Sequence, residues 1–183
     1  MTVRTCLCLL TRPTPAGSAL AKPAATGLCG REVLLGYKKV GFGAGRWVGL
    51  GGHVEDGEEP GDAAVREVAE ESGLNVAAAA LTHMATLTFV FPARPDWDQT
   101  AEVFAATDFS GEAAESDELI PRWFGVDELP LDGMWDDARY WLPLVLAGEQ
   151  VSARITFADD CATVEAISPD LPVPVSTRRR RPV

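Results

Sequence analysis

The stretch from Gly52 to Leu74 reads G-H-V-E-D-G-E-E-P-G-D-A-A-V-R-E-V-A-E-E-S-G-L. Its two halves differ in physical character. Gly49, Gly51, Gly52 and Gly57 make the first half a glycine-rich loop, and the second half predicts an acidic helix. Pro60 suits the first helical turn, where its missing N–H would have no partner anyway. Gly73 suits the left-handed position just past a helix end. Between them Ala64, Val65, Val68 and Ala69 recur at three- and four-residue steps and predict one apolar face. Glu67, Glu70 and Glu71 are expected off that face, with Glu67 and Glu71 one turn apart and therefore neighbours.

Such a concentration of acid is unfavourable unless something offsets it. Two carboxylates about 4 Å apart repel by roughly 4 kcal/mol at a protein-like dielectric. Arg66 is close, but one guanidinium cannot neutralise Glu58, Glu67, Glu70 and Glu71 together. A hard divalent cation with oxygen ligands can. A solvated acidic helix face would look the same in composition, so the spacing has to separate the two readings.

The spacing runs Gly52, five residues, Glu58, seven residues, Arg66-Glu67-Val68, one residue, Glu70-Glu71, one residue, Gly73-Leu74. It resembles the Nudix box at every fixed position, and the chain is identified on it as similar to the Nudix hydrolases. The resemblance implies an α+β fold, an α/β/α sandwich with a central mixed β-sheet and the box as loop–helix–loop. It implies Mg2+, with Mn2+ as a substitute, held by Glu67, Glu70 and Glu71, with the Gly51 carbonyl as a further ligand. Glu58 and Arg66 would hold the loop against the helix. Either Glu71 or Glu67 would act as ligand and base.

Segments outside the box narrow the likeness to the MutT-homologue branch, which hydrolyses oxidised purine nucleoside triphosphates. They are Leu34-Leu35-Gly36, Lys38-Lys39 with Gly41-Phe42-Gly43-Ala44-Gly45-Arg46-Trp47, Glu115-Ser116-Asp117-Glu118 and Pro121-Arg122-Trp123-Phe124. The resemblance makes Glu115 a further metal carboxylate and Trp135 a stacking platform for the base, with Phe42 and Phe89 as walls. Asp137 would bond the purine edge, and Thr5 and Lys38 would line the pocket. Four positions depart from the pattern. Val48 stands for an asparagine and Ala138 for the second of two aspartates, although Asp136 lies just upstream. Leu50 and His53 stand where the branch has Phe and Lys. The implied substrates are nucleotides such as 8-oxo-dGTP or 2-hydroxy-dATP, cut to monophosphate and pyrophosphate. The alternatives are another nucleoside diphosphate-linked compound, or a nucleotide-sensing module without turnover.

Composition bounds the rest. The 183 residues are 46% apolar, enough for a sizeable core. A net charge of −11 opposes binding to a nucleic-acid polymer. No apolar run approaches the roughly 20 residues that span a bilayer. The expectation is therefore a cytoplasmic monomer whose partner is a small nucleotide, with one domain over residues 1–170 and a basic, disordered tail at 171–183. Cys6 and Cys8 share one face of a strand and read as small core residues. Strands are expected at Val3–Leu10, Glu32–Tyr37, Leu81–Phe91 and Ala101–Thr107, with a long surface loop from Thr11 to Gly30. A closing hairpin over Ile155–Ile167 would turn at Asp159-Asp160. The last helix is expected to start at Met134–Trp141, with Asp136 or Asp137 as N-cap and a bend or restart at Pro143.

Overall fold

The computed structural model describes residues 3–15 and 30–169. Eight strands, β1 (Val3–Pro13), β2 (Arg31–Lys38), β3 (Trp47–Val48), β4 (Thr82–Val90), β5 (Gln99–Ala106), β6 (Leu119–Gly125), β7 (Val151–Phe157) and β8 (Val164–Ser168), form one mixed sheet. Among the described residues two α-helices, α1 (Pro60–Ser72) and α2 (Ala138–Leu146), accompany it. The architecture is the expected mixed sheet with the box helix.

The first strand connects two parts of the sheet. Val3–Leu10 pairs in parallel with β5, which continues through β4 and β7 to β8. The end of β1, Thr11–Pro13, pairs antiparallel with the start of β2, and β2 carries β3 and β6. Strand alternation sends successive side chains to opposite faces. Cys6, Cys8 and Leu10 therefore join Leu34, Ala63, Ala64 and Val68 in the core under α1. Leu9 joins Val33, Leu35, Ala101, Val103, Trp141 and Leu142 in the core under α2. Burial pushes the Cys6 thiol up to about 11 and the Cys8 thiol to about 12, so both serve as small apolar side chains at neutral pH.

Several boundaries move. The first strand runs on to Pro13, so the loop starts later, and the Thr14 amide closes it onto the Gly30 carbonyl. The rest of that loop, residues 16–29, and the tail at 171–183 lie outside the described residues. The last helix starts at Ala138, four residues after Met134. Asp137 sits at its N-cap position without a side-chain capping bond, and the helix continues through Pro143. The closing hairpin forms as expected, its turn tied by Asp160 accepting from the Ala162 and Thr163 amides. Among the described residues no helix is long and apolar enough to cross a membrane.

In α1, Pro60 occupies the first turn and Gly73 ends the helix at φ 72°, its amide bonding the Ala69 carbonyl. The buried face differs from the one expected. It is Ala63, Ala64, Val68, Glu71 and Ser72, whereas Ala69 is exposed and Val65 half-buried. Glu71 is thus on the inward face. Val68→Lys should abolish cooperative folding, since it buries a charge without a partner. Ala69→Lys should leave stability within about 0.5 kcal/mol of the parent. Urea denaturation of the two variants distinguishes the observed face from the expected one.

Candidate active site

The glycine loop lies along the free edge of β1. The Cys8 amide donates to the Leu50 carbonyl at 2.7 Å, the Cys6 amide to the Gly52 carbonyl at 2.9 Å, and the Val54 amide to the Arg4 carbonyl at 3.0 Å. At Gly51 the approach is too close for any side chain. A Cβ there would stand 2.1 Å from the Cys6 carbonyl oxygen, and φ is 153°. A Cβ on Gly52 would stand 2.4 Å from Glu67 Oε1.

Glu71 closes this arrangement from the helix side. Its Oε2 accepts the Gly51 amide at 2.8 Å, and its Oε1 accepts Lys38 Nζ at 3.2 Å. Its side chain is only 3% exposed. Burial, opposed by the Gly51 amide and Lys38 and reinforced by Glu67, pushes the carboxyl up to about 7. For Lys38, burial disfavours the charge but the Glu71 and Glu118 carboxylates outweigh it, and its pKa rises. Two carboxylates one helical turn apart thus press against consecutive glycines.

Arg66 ties the box together. Its Nε and one terminal nitrogen grip the two oxygens of Glu58, each at 3.0 Å, and that nitrogen also donates to the His53 carbonyl. Its other nitrogen reaches Glu67 at 2.9 Å and Glu70 at 3.3 Å. Glu58 Oε2 also accepts the Glu55 amide. Glu115 is exposed and paired to Lys39 Nζ at 2.9 Å. As these side chains stand, no three acidic, His or Cys side chains among the described residues gather closely enough to form a metal site.

Beside the loop opens a cavity of about 380 Å³ on the α2 side of the sheet. Thr5, Lys38, Phe42, Val48, Gly51, Gly52, His53, Phe89, Trp135, Asp137 and Ala138 all border it. Two residues expected there do not. Leu50 is fully buried in the core under α1. Asp136 faces away, accepting Arg139 Nε at 2.9 Å and the Val164 amide at 3.0 Å, so it is not in place to make up for Ala138. Trp135 is already engaged. Phe42 stacks on it at 5.1 Å and 18°, and the Arg46 guanidinium lies 4.3 Å from its ring centroid.

Sequence reasoning missed several wall residues, among them Gln99, Phe91, Met134, Trp141, Leu142 and Phe157. Most are apolar residues that a strand or helix pattern marks only as core. Strand alternation from Ala101 and the helical step from Ala138 would have marked Gln99 and Trp141 once the cavity's face was known. On the cavity wall Asp137 accepts Trp141 Nε1 at 2.7 Å. Burial pushes the Asp137 carboxyl up to about 6; the Trp141 bond opposes this and Asp136 adds to it.

The NUDIX domain model matches residues 24–145. The chain is 41% identical to the oxidized purine nucleoside triphosphate hydrolase of Mus musculus over 129 residues, 70% of this chain and 81% of that one. It is also 41% identical to the protein of that name from Danio rerio over 134 residues, 73% and 84% of the two chains. Among solved structures, the mMutator MutT protein of Bacillus halodurans matches in fold, with a TM-score of 0.68, 21% identity and coverage of 91% and 98%. The MutT NUDIX hydrolase of Burkholderia pseudomallei gives 0.55 at 25% identity, covering 71% and 88%.

The Asp137 carboxyl yields a pH signature. Its folded value lies above the ordinary 3.8, so the stability it contributes is complete below about pH 4 and lost as pH rises through about 6. Asp137→Asn keeps the acceptor for Trp141 and removes the titration. Relative to the parent, this variant should gain up to about 3 kcal/mol between pH 4 and pH 8. Urea melts at the two pH values measure the difference, and a gap that does not change with pH contradicts it.

Proposed function

The chain belongs to the Nudix family, and we propose that it hydrolyses purine nucleoside triphosphates, oxidised ones such as 8-oxo-dGTP or 2-hydroxy-dATP among them, to monophosphate and pyrophosphate. One observation carries this reading: an acid pair, Glu67 and Glu71, packs against Gly51-Gly52, and those glycines border an aromatic cavity. The cavity volume falls in the range of small-molecule sites. The relatives named for oxidised purine nucleoside triphosphates support the choice of substrate.

Nudix hydrolases generally use divalent metal ions. The residues here fit a hard divalent cation, Mg2+ or Mn2+. Every donor is an oxygen, and the Glu71 carboxylate is nearly sealed from water with one lysine and one amide as partners. Glu67, Glu71 and the Gly51 carbonyl would hold the ion, and Glu70 and Glu115 would join by exchanging Arg66 and Lys39. When bound, it supplies charge neutralisation at the phosphates and an acidified water.

The chain's own groups set the geometry. The aromatic cavity holds the base, and stacking contributes about 1–3 kcal/mol per base. Lys38, beside Glu71 at the mouth, offers a point charge to the polyphosphate. Glu71 or Glu67 takes the proton from the attacking water. Arg66 positions both the loop and Glu67 by its five hydrogen bonds.

The purified protein with Mg2+ should release pyrophosphate from 8-oxo-dGTP or 2-hydroxy-dATP faster than from ordinary dNTPs. Faster release of two monophosphates from a nucleoside diphosphate-linked compound would replace this reading, and no turnover of any triphosphate would reject it. Glu71→Gln preserves the Gly51 hydrogen bond and should lower kcat by at least about 100-fold, with the thermal midpoint shifted by only a few degrees. Retained turnover in that variant would remove Glu71 from the chemistry.

A further inference from the structure

We propose that Gln99 reads the hydrogen-bonding edge of the base and sets which purines the cavity accepts. The inference rests on the nucleotide reading above. Gln99 opens β5, with Val3 of β1 and Phe89 of β4 as its cross-strand partners. Alternation places it on the same face as Ala101 and Val103, whose side chains pack in the core under α2 together with Phe89. Gln99 borders the cavity, and among the described residues no group hydrogen-bonds its carboxamide. Nor is any buried side-chain polar atom left unpaired among them, so the polar atoms of this half-buried amide are within reach of water.

Three of the other polar walls are already engaged, and His53 comes from the glycine loop rather than from the sheet face that carries Gln99. Asp137 accepts from Trp141, Lys38 is shared by Glu71 and Glu118, and the Thr5 hydroxyl donates to the Thr100 carbonyl at 3.4 Å. Val48 and Ala138 bring no polar side-chain atom to the same cavity. A base with exocyclic oxygen or nitrogen loses water on entry and needs replacement partners. A carboxamide supplies both a donor and an acceptor side by side. In one orientation it matches an amino group beside a ring nitrogen, and turned over it matches an oxo group beside a ring N–H. Gln99 therefore makes paired bonds with adenine-type and guanine-type edges alike, and only a single bond, to a ring nitrogen, with a purine that lacks exocyclic groups.

The test compares the parent with Gln99→Met, close in volume, and Gln99→Glu, close in shape but without the donor. Calorimetry measures binding of AMP, GMP and the monophosphate of unsubstituted purine riboside. The parent should prefer AMP and GMP over the unsubstituted nucleotide by about tenfold. Gln99→Met should erase that preference while binding the unsubstituted one as before. Gln99→Glu, which accepts but cannot donate, should keep GMP, whose ring N–H and amino group both donate, and weaken AMP. With the triphosphates, the loss should appear in KM with kcat unchanged. Equal losses for all three nucleotides, or none, would overturn the assignment and leave Gln99 a packing residue. A preference erased in binding while no triphosphate is turned over would support Gln99 and reject the hydrolytic reading instead.

Discussion

The structure depends on how closely one stretch of backbone lies on another. Gly51 passes the Cys6 carbonyl at a distance that no Cβ could survive, while its amide is taken by a carboxylate from α1. This contact sets the relation between loop, strand and helix in one place. The flanking bonds from the Cys6 and Cys8 amides set the register of the loop on β1, and with it the face on which the cavity opens. Glycine is required here for lack of bulk as much as for backbone freedom.

Charge follows from that geometry. Acidic side chains crowd α1 and the loops beside it, and basic side chains meet them: Arg66 takes Glu58, Glu67 and Glu70, Lys38 takes Glu71, and Lys39 takes Glu115. Most of these pairs are partly exposed, where an ion pair contributes little to stability. Glu71 differs because it is buried, and one lysine and one amide do not fully compensate a carboxylate so removed from water. The same residue is both the link between loop and helix and the best shielded acid of the cluster behind the glycines that border the cavity. Structure and chemistry therefore make opposite demands on it, the first for a fixed hydrogen bond and the second for a charge that exchanges partners.

The cavity inherits its character from the other face of the sheet. Phe89, Phe91 and Phe157 belong to the core under α2 and also to its wall, so the site is an incompletely filled part of the core. Phe42, 42% exposed, comes from a loop with three glycines at positive φ and covers Trp135 from the solvent side. The polar atoms that reach this space are few, which gives each of them weight in deciding what fits.

Much of this was legible in the residues. Box spacing, Pro60, Gly73 and strand alternation are local signals, carried by backbone dihedrals and by periodicities of a few residues, and they located six of the eight described strands, all but β3 and β6, together with the box helix and the acid cluster. The inward turn of Glu71 was not legible, because periodicity ranks a glutamate as solvent-facing and only contact with Lys38 and Gly51 makes its burial tolerable. Nor could the chain order show that Asp136 turns to Arg139 and Val164, that Leu50 faces α1, or that Gln99 opens into the cavity. Local order determined which chemistry this chain carries. Which side chains share a space was decided by the packing of strands brought together across dozens of residues, since burial and pairing are properties of neighbours in space.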